Sequence, residues 1–398
     1  MKCKITGKKL KPFMSFGKMP IANGFLHKKD FKKEFFFNME VGFSKKLSLF
    51  QINEHPKPEQ MFNKSYPFFT GSSLSMIKHF KGYADWIIKN NSKNLKYIVE
   101  IGSNDGTFLL NFKKKNIKIY GYEPSKNVAN LAKRKGINTI NNFFNLNSVK
   151  SNKKIKNKVN IICAANAICH IPDLKNLIKS VDYLLGEEGL FIFEEPYLGS
   201  MYKKGSYDQI YDEHIFIFSV SSIKKIFELF NFELIDAIPQ ITHGGSMRYV
   251  ISRKGRRKIK NNVNKILKYE KKYNIDNIKG CLKFKSKCER SKKNLIKKLK
   301  NLKKNNKTIA GYAATSKSTT VFNYCNINRK LIDFICDTTK EKIGKFSPGT
   351  HIPIVSMKHF YNNLPDIVYL LAWNHKKEIF KKEKKIFKKV KWISHVKI

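Results

Sequence analysis

Short apolar runs alternate with helix-like stretches over the middle of the chain. The runs that predict buried strands are YIVEIGS (97–103), IKIYGYEP (117–124), NIICAANA (160–167) and LFIFEEP (190–196). Between them, NVANLAKRKG and DLKNLIKSVDYLLGEEG have apolar residues every three or four positions and a glycine near the end. This β-α-β-α-β order predicts an α/β fold with a parallel, doubly wound sheet. FELIDAIPQI and MRYVISRKG predict the strand pair that closes the sheet.

The flanking segments have different patterns. Residues 1–70 mix short apolar runs with turns and show no long helical period. In the lysine-rich residues 255–307 the apolar positions predict amphipathic helices with a charged outer face. A second α/β unit follows, built from TIAGYAATSKSTTVFNYC, LIDFICDTTKEKIGK, PDIVYLLAWNH and KWISHVKI. We therefore divide the 398 residues into three domains, 1–70, 71–254 and 255–398.

The chain is strongly basic, with 79 Lys and Arg against 30 Asp and Glu and a formal net charge of +49. Nearly all of the excess is lysine, and Asn, Ile and Phe, which share A/T-rich codons with it, are also abundant. Arginine, on which base and phosphate readers depend, is rare, and no nucleic-acid-binding motif is present. We therefore expect an anionic small molecule as the partner, rather than nucleic acid.

The sequence gives little indication of a membrane segment, a secretory signal or disulfide bonds. No run approaches 18 apolar residues, so no transmembrane helix and no membrane partner are expected. The basic start MKCKITGKKLKPF lacks the apolar segment of a secretory signal. Seven scattered cysteines without a CxxC pair are typical of reduced thiols. Together these features predict a cytoplasmic protein.

A glycine-containing loop follows the first predicted strand of the middle domain. VEIGSNDGTFLLNF (99–112) has the pattern E-x-G-x-x-x-G, and Glu123 ends the next strand about twenty residues later. Glycines allow the backbone to approach a ligand, and a carboxylate at that strand end can accept hydrogen bonds from ribose hydroxyls. Loop and acidic residue are typical of class I S-adenosylmethionine (SAM) methyltransferases. The candidate cofactor residues are Glu100, Gly102, Ser103, Asn104, Gly106, Glu123, Pro124, Asn142, Phe143 and Asn166.

The chain resembles the deoxysugar C-methyltransferases, which methylate C3 of nucleotide-linked 4-keto-sugars. The segments that carry the resemblance, nearly end to end, are VEIGSNDG, GYEPS, AANAICHIPDL, FEEPYLG, SYDQIYDEHIFIFS, HGGSMRY, GYAATSKSTT, DTTKEKIGKFSPGTHIPI and AWNH. The resemblance implies an N-terminal zinc-binding module, a SAM-binding middle domain and a C-terminal α/β domain that helps to hold a nucleoside-diphosphate keto-deoxysugar.

The chain departs from this family in its N-terminal module. Family members carry two CxxC pairs there as zinc ligands, whereas here only Cys3 remains. Thr6 stands at the second position, and Ser44 and Leu47 occupy the third and fourth. Because structural zinc needs four nitrogen or sulfur ligands, we expect no bound metal and a module held by apolar packing.

The segment SYDQIYDEHIFIFS (206–219) is acidic and aromatic and contains no lysine. Methylating a sugar carbon requires that the carbon first become a nucleophile, and a ketone at C4 makes the C3 proton acidic. His214 is the expected base, since imidazole titrates in the right range. A nearby ammonium would lower its pKa, which gives the absence of lysine a function. The resemblance adds Tyr211, Glu213, His170 and Tyr66 to the catalytic site.

Other segments supply candidate substrate contacts. By resemblance and position these are Tyr197, His243, Lys317, Asn374 and His375, although GYAATSKSTT, which contains Lys317, could equally form an interdomain surface. The expected activity is C3 methylation of a keto-deoxysugar nucleotide by a monomer or homodimer. Two alternatives stay open, a SAM enzyme that methylates oxygen or nitrogen, and a basic nucleic-acid-binding protein without catalysis.

Overall fold

The computed structural model describes residues 1–64, 66–91, 95–113 and 117–397, and these form three β-sheets with flanking helices. The strands are Pro12–Pro20 (β1), Phe36–Ser44 (β2), Leu49–Ile52 (β3), Tyr97–Ile101 (β4), Lys118–Tyr122 (β5), Asn138–Ile140 (β6), Val159–Ala165 (β7), Leu185–Pro196 (β8), Phe216–Ile217 (β9), Phe232–Gln240 (β10), Ser246–Arg253 (β11), Ile309–Tyr312 (β12), Phe334–Asp337 (β13), Ile354–Ser356 (β14), Ile367–Leu370 (β15) and Lys391–Ile393 (β16).

Helices connect most of these strands. The α-helices are Pro58–Met61 (α1), Leu74–Asn91 (α2), Leu110–Lys113 (α3), Lys126–Arg134 (α4), Leu146–Lys150 (α5), Leu174–Leu184 (α6), Leu198–Lys204 (α7), Val220–Glu228 (α8), Asn261–Lys272 (α9), Ile278–Lys304 (α10), Ser316–Tyr324 (α11), Met357–Asn362 (α12), Lys376–Lys382 (α13) and Lys384–Phe387 (α14). Short 3₁₀ turns include Ile168–His170, Tyr207–Gln209, Thr242–Gly244 and Trp373–His375.

The central sheet has seven strands in the order β10-β11-β8-β7-β4-β5-β6. Strands β8, β7, β4, β5 and β6 are parallel, and β11 is antiparallel to both β8 and β10, as the predicted closing pair requires. Alternate residues of β4 pack into different cores, Ile98 on one face and Val99 on the other. Both faces of the sheet are therefore covered, which confirms the α/β fold predicted from the sequence.

A four-stranded antiparallel sheet, β1-β2-β3-β9, and a five-stranded parallel sheet, β14-β13-β12-β15-β16, lie on either side in sequence. Strand β9 comes from the middle of the chain, directly after His214, and pairs with β3 through Phe50 and Ile217. This pairing attaches the N-terminal sheet to the segment that carries the predicted catalytic base.

One local prediction needs correction. The helix predicted over DLKNLIKSVDYLLGEEG ends at Leu184, because Leu185 is extended and its segment begins β8. An irregularity in the β7–β8 pairing between Val159 and Ile161 accommodates this early start.

Candidate active site

A cavity of about 1080 Å³ lies at the carboxyl ends of the central parallel strands and extends to the N-terminal and C-terminal sheets. Such strand ends are where ligands bind in open α/β sheets. Fifteen of the residues selected from the sequence line it: Tyr66, Gly102, Asn104, Glu123, Pro124, Phe143, Asn166, His170, Tyr211, Glu213, His214, His243, Lys317, Asn374 and His375.

The remaining selected residues lie outside the cavity wall: Glu100, Ser103, Gly106, Asn142 and Tyr197. Ser103 packs against β5, where a side chain at Gly121 would come within 2.4 Å of its hydroxyl oxygen. The hydroxyl of Tyr197 donates a hydrogen bond of 2.9 Å to Glu270. Residues of this set therefore support the walls and do not face the cavity.

The loop after β4 is shaped for close approach to a ligand. Gly102 has φ +68°, and a Cβ there would lie 2.7 Å from Cβ of Ala167 across the cavity edge. Glu123 accepts hydrogen bonds from the backbone N–H of Asn104 (2.9 Å) and of Ser125 (2.8 Å), one on each carboxylate oxygen. Each oxygen keeps a second lone pair for another donor. The loop after β4 and the Glu123 carboxylate therefore fit the ribose of an adenosine-containing cofactor such as SAM.

The hydrogen bonds of His214 fix its tautomer. Nδ1 lies 2.7 Å from the carbonyl oxygen of Gln209, which can only accept, so Nδ1 carries the proton. Nε2 therefore carries the lone pair of the ring, which accepts a hydrogen bond from the Tyr211 hydroxyl 2.7 Å away. The ring that lines the cavity is thus a base held in orientation by a backbone carbonyl.

Burial shifts the pKa values of His214 and Glu213 in opposite directions. Burial, followed by the neighbouring His170, lowers the pKa of His214 well below its usual value, and the charge of Lys317 lowers it further. Lys317 belongs to the C-terminal domain, so a cation comes near the imidazole although its own segment has no lysine. Burial and the charge of Asp212 raise the pKa of Glu213. Burial therefore favours the neutral form of both the His214 imidazole and the Glu213 carboxyl.

Two further predicted residues surround this pair. The ring of His170 stacks on His214, with 5.3 Å between ring centroids, and its buried Nε2 has no hydrogen-bond partner among the described residues. Burial lowers the pKa of His170 to about 3. The Tyr66 hydroxyl donates a 3.4 Å hydrogen bond to Glu213. The cavity therefore holds one lone pair poised as a base and several hydroxyl or carboxyl groups close to it.

Comparison with known proteins agrees with this geometry. Residues 3–62 match a zinc-binding domain family, 77–237 a methyltransferase domain family, and 241–396 the C-methyltransferase C-terminal domain family. The curated C-methyltransferase NovU of Streptomyces niveus is 28% identical over 374 residues, which cover 93% of this chain and 89% of NovU. The chain belongs to the C-methyltransferase family. It is a SAM-dependent methyltransferase, and the non-catalytic alternative is set aside.

Solved methyltransferase structures also resemble part of this methyltransferase. One from Clostridium acetobutylicum is 16% identical with a TM-score of 0.36, covering 44% of this chain and 92% of that one. The magnesium protoporphyrin IX methyltransferase of Synechocystis, solved with bound SAM, is 11% identical with a TM-score of 0.35, covering 49% of this chain and 89% of that one. Because these scores are low, the assignment depends on the sequence-family matches.

The zinc-binding module of the methyltransferase keeps its turns but lacks a zinc ligand set. The backbone N–H of Thr6 donates to Sγ of Cys3 (3.4 Å), and that of Leu47 donates to Oγ of Ser44 (3.4 Å). One thiol, two hydroxyls and an aliphatic side chain do not fit tetrahedral zinc. The described part of residues 1–70 contains no group of three His, Cys, Asp or Glu side chains close enough to share a metal ion.

The C-terminal domain of the methyltransferase contributes a polar wall to the cavity. Nζ of Lys317 lies 3.3 Å from the side-chain oxygen of Asn374 and 5.4 Å from the ring centre of Trp373. Burial lowers the pKa of Lys317 to about 8. Nδ2 of Asn166 lies 2.9 Å from Nε2 of His243, whose pKa is lowered by burial and by the nearby charge of Lys317. These side chains place a cation and several polar groups near His214.

Sequence reasoning missed two residues that shape the site. Asn23, in the loop after β1, lines the cavity and contacts Glu213. Gln209 supplies the carbonyl that sets the tautomer of His214, although only its neighbours in the segment were selected. No local pattern marks Asn23, because its partner lies 190 positions away.

None of the helices in the described ranges is long and apolar enough to cross a membrane.

Proposed function

We propose that this methyltransferase removes the C3 proton of a nucleoside-diphosphate 4-keto-deoxysugar and methylates the resulting enolate carbon. NovU, which covers nearly the whole chain, carries the name C-methyltransferase, and this supports methylation at carbon. The proposal depends on the tautomer of His214, because this tautomer puts the lone pair on Nε2 of a ring that lines the cavity.

A carbon centre bonded to hydrogen needs a base before it can accept a methyl group. Nε2 of His214 takes the C3 proton, and the electron pair of the C–H bond moves toward the C4 oxygen. Because burial lowers the pKa of His214, the ring is in its unprotonated form before it meets the substrate. Bound SAM supplies an electrophilic methyl group for the carbon.

The enolate oxygen needs hydrogen-bond donors. Without substrate, the Tyr211 hydroxyl donates to Nε2 of His214, so it must leave that nitrogen before the C3–H can reach it, and it is then free to donate to the enolate oxygen. Burial favours the protonated form of Glu213, which faces the cavity. His170 offers the third polar atom. We assign these three residues to the oxygen side of the substrate, with Tyr66 supporting Glu213.

The cavity suits two ligands, one of which is anionic. Its volume of about 1080 Å³ is at the upper end of single-ligand pockets, which range from about 300 to 1,000 Å³. Lys317 and Lys340 line it on the C-terminal side, together with Asn374 and His375. A diphosphate has the charge that this wall favours. The C-terminal wall is therefore the proposed site of the nucleotide, with the sugar between it and the cofactor loop.

Hydrogen–deuterium exchange at C3 of a 4-keto-deoxysugar nucleotide tests the reaction type. We expect the wild-type enzyme to exchange this proton in D₂O, and His214→Ala to lose about 100-fold to 10,000-fold of the exchange and of methyl transfer. SAM binding, measured by calorimetry, should be unchanged, since His214 does not contact the cofactor loop. His359→Ala is the matched control, because His359 is an exposed histidine outside the cavity.

The results separate the proposal from its alternatives. A wild-type enzyme that transfers methyl groups without exchanging C3–H would favour methylation of oxygen or nitrogen, which needs no enolate. Wild-type turnover by His214→Ala would contradict the assignment of the base. The sugar, the nucleotide and the monomeric or dimeric state stay predictions.

A further inference from the structure

The loop after β1 inserts a polar residue of the N-terminal module into the active cavity. Nδ2 of Asn23 donates a 2.7 Å hydrogen bond to Oε1 of Glu213. The hydroxyl of Ser316, at the start of α11, donates a 2.9 Å hydrogen bond to Oδ1 of Asn23. Both ends of one amide are therefore engaged, one by the catalytic segment and the other by the C-terminal domain.

The preceding residue repeats this arrangement with its backbone. The N–H of Ala22 donates a 3.0 Å hydrogen bond to Oδ1 of Asp212, and its carbonyl accepts a 2.9 Å hydrogen bond from Oγ1 of Thr319. Ala22 is 2% exposed. Four hydrogen bonds thus fix two consecutive residues between the Asp212–Glu213 pair and α11, which leaves the Asn23 side chain little freedom to turn away.

We propose that Asn23 is a positioning residue of the methyltransferase, which holds the Glu213 carboxyl toward the substrate and links it to the C-terminal domain through Ser316. This rests on the proposed function, because it assigns a purpose to Glu213 as a donor on the oxygen side of the sugar. It also gives the N-terminal module a role that does not need zinc, since the module delivers Asn23 to the cavity.

The surroundings of Glu213 make its protonation sensitive to this contact. The titratable groups that face it are Asp212, Tyr66, Tyr211 and Cys169, and none of them carries a positive charge. The hydrogen bond from Asn23 is one of two side-chain contacts that favour the ionised carboxylate and lower its pKa, against burial and Asp212. Removing the amide donor therefore raises the pKa of Glu213 further.

The test compares Asn23→Ala and Asn23→Asp with the control Asn53→Ala. Asn53 lies in the same module and donates a 3.4 Å hydrogen bond to Glu40, remote from the cavity wall. The readouts are the rate of C3 exchange, the pH profile of kcat/KM and the affinity for SAM. Asn23→Asp keeps the side-chain shape and can still accept from Ser316, so it guards against loss of folding as the cause.

We expect Asn23→Ala to slow exchange and kcat about tenfold or more, with SAM affinity unchanged, and to move the alkaline limb of the profile to higher pH. Asn23→Asp should slow the reaction at least as much, because two carboxyl groups then face each other. Wild-type rate and profile in Asn23→Asp would overturn the proposal. A wild-type enzyme that does not exchange C3–H would instead contradict the proposed function, and this result is visible before any Asn23 variant is measured.

Discussion

At the scale of single residues, the cavity shifts the pKa values of two neighbouring side chains in opposite directions. Burial and His170 lower the pKa of His214, which favours its neutral form, whereas burial and Asp212 raise the pKa of Glu213, which favours its protonated form. One site can carry a base and an acid at the same pH when the surroundings of the two groups shift their pKa values apart. The order of the two residues in the chain does not distinguish these roles, but their hydrogen bonds do.

The pH profile of kcat/KM should show this separation. We expect activity to persist well below pH 6.5, since His214 stays neutral there, and to fall in alkaline solution as Glu213 loses its proton. Glu213→Gln keeps an N–H donor that does not ionise, so the alkaline decline should disappear, with a lower maximal rate. Glu59→Gln, another cavity residue, should keep the wild-type profile. An unchanged alkaline limb in Glu213→Gln would assign that limb to a different group.

Local sequence patterns predict part of this site. His214, Tyr211 and Glu213 form one short segment, and their common cavity follows from chain connectivity. Asn23 joins them only because β9, directly after His214, pairs with the N-terminal sheet. A hydrogen bond across 190 positions depends on this long-range pairing, and no spacing within the sequence encodes it.

At the scale of elements, two turns of the N-terminal module are held by hydrogen bonds to side chains at positions where the family has zinc ligands. The N–H groups of Thr6 and Leu47 donate to the side chains of Cys3 and Ser44. The amide of buried Gln51 joins the first turn to β3, accepting from Lys4 N–H (3.1 Å) and donating to the Lys2 carbonyl (3.0 Å). Hydrogen bonds and apolar packing around Cys3 and Leu47 therefore stabilise these turns.

Zinc content and sensitivity to chelators test this interpretation. We expect the purified protein to contain far less than one zinc per chain, and its melting temperature to be unaffected by EDTA, because a single thiol cannot close a metal site. A zinc-dependent module would unfold when its metal is removed, since metal binding is part of its folding free energy. Stoichiometric zinc, or a melting temperature lowered by EDTA, would contradict the prediction.

Element boundaries were less predictable than element types. The structure confirms the types of the strands and helices that the apolar periods predict between residues 97 and 253, whereas the short elements β6, β9, α5, α7 and α8 were not predicted. The end of α6 differs, because Leu185 has φ −69° and ψ 126° and enters β8 beside Val159. The apolar pair Leu184 and Leu185 continues the helical pattern as well as it begins a strand, so tertiary pairing decides the boundary.

At the scale of the whole molecule, one buried carboxylate connects the catalytic segment to the C-terminal domain. Asp208, which is fully buried, accepts a 2.6 Å hydrogen bond from Nε1 of Trp373 and lies 3.2 Å from Nε2 of His395. Burial alone would raise its pKa, but His395, Lys317 and Trp373 together lower it. The same Trp373 ring fills the space above Gly244, where a Cβ would come within 2.2 Å of it. The relative position of the two domains is thus tied to the loop that carries His243.

Replacing Trp373 with Phe removes the N–H donor and keeps most of the ring. We expect the free energy of unfolding to fall by about 1–3 kcal/mol at neutral pH, because a buried carboxylate loses a partner. Because the pKa of Asp208 is lowered in the folded state, its ionised carboxylate stabilises the protein at pH values above the ordinary pKa of the carboxyl. This stabilisation is lost as the pH falls through the pKa of the folded state. The effect of the substitution should therefore shrink in acid. Trp392→Phe is the control, since its buried Nε1 has no hydrogen-bond partner among the described residues. Equal losses in both variants, unchanged by pH, would show that ring packing and not the Asp208 contact is responsible.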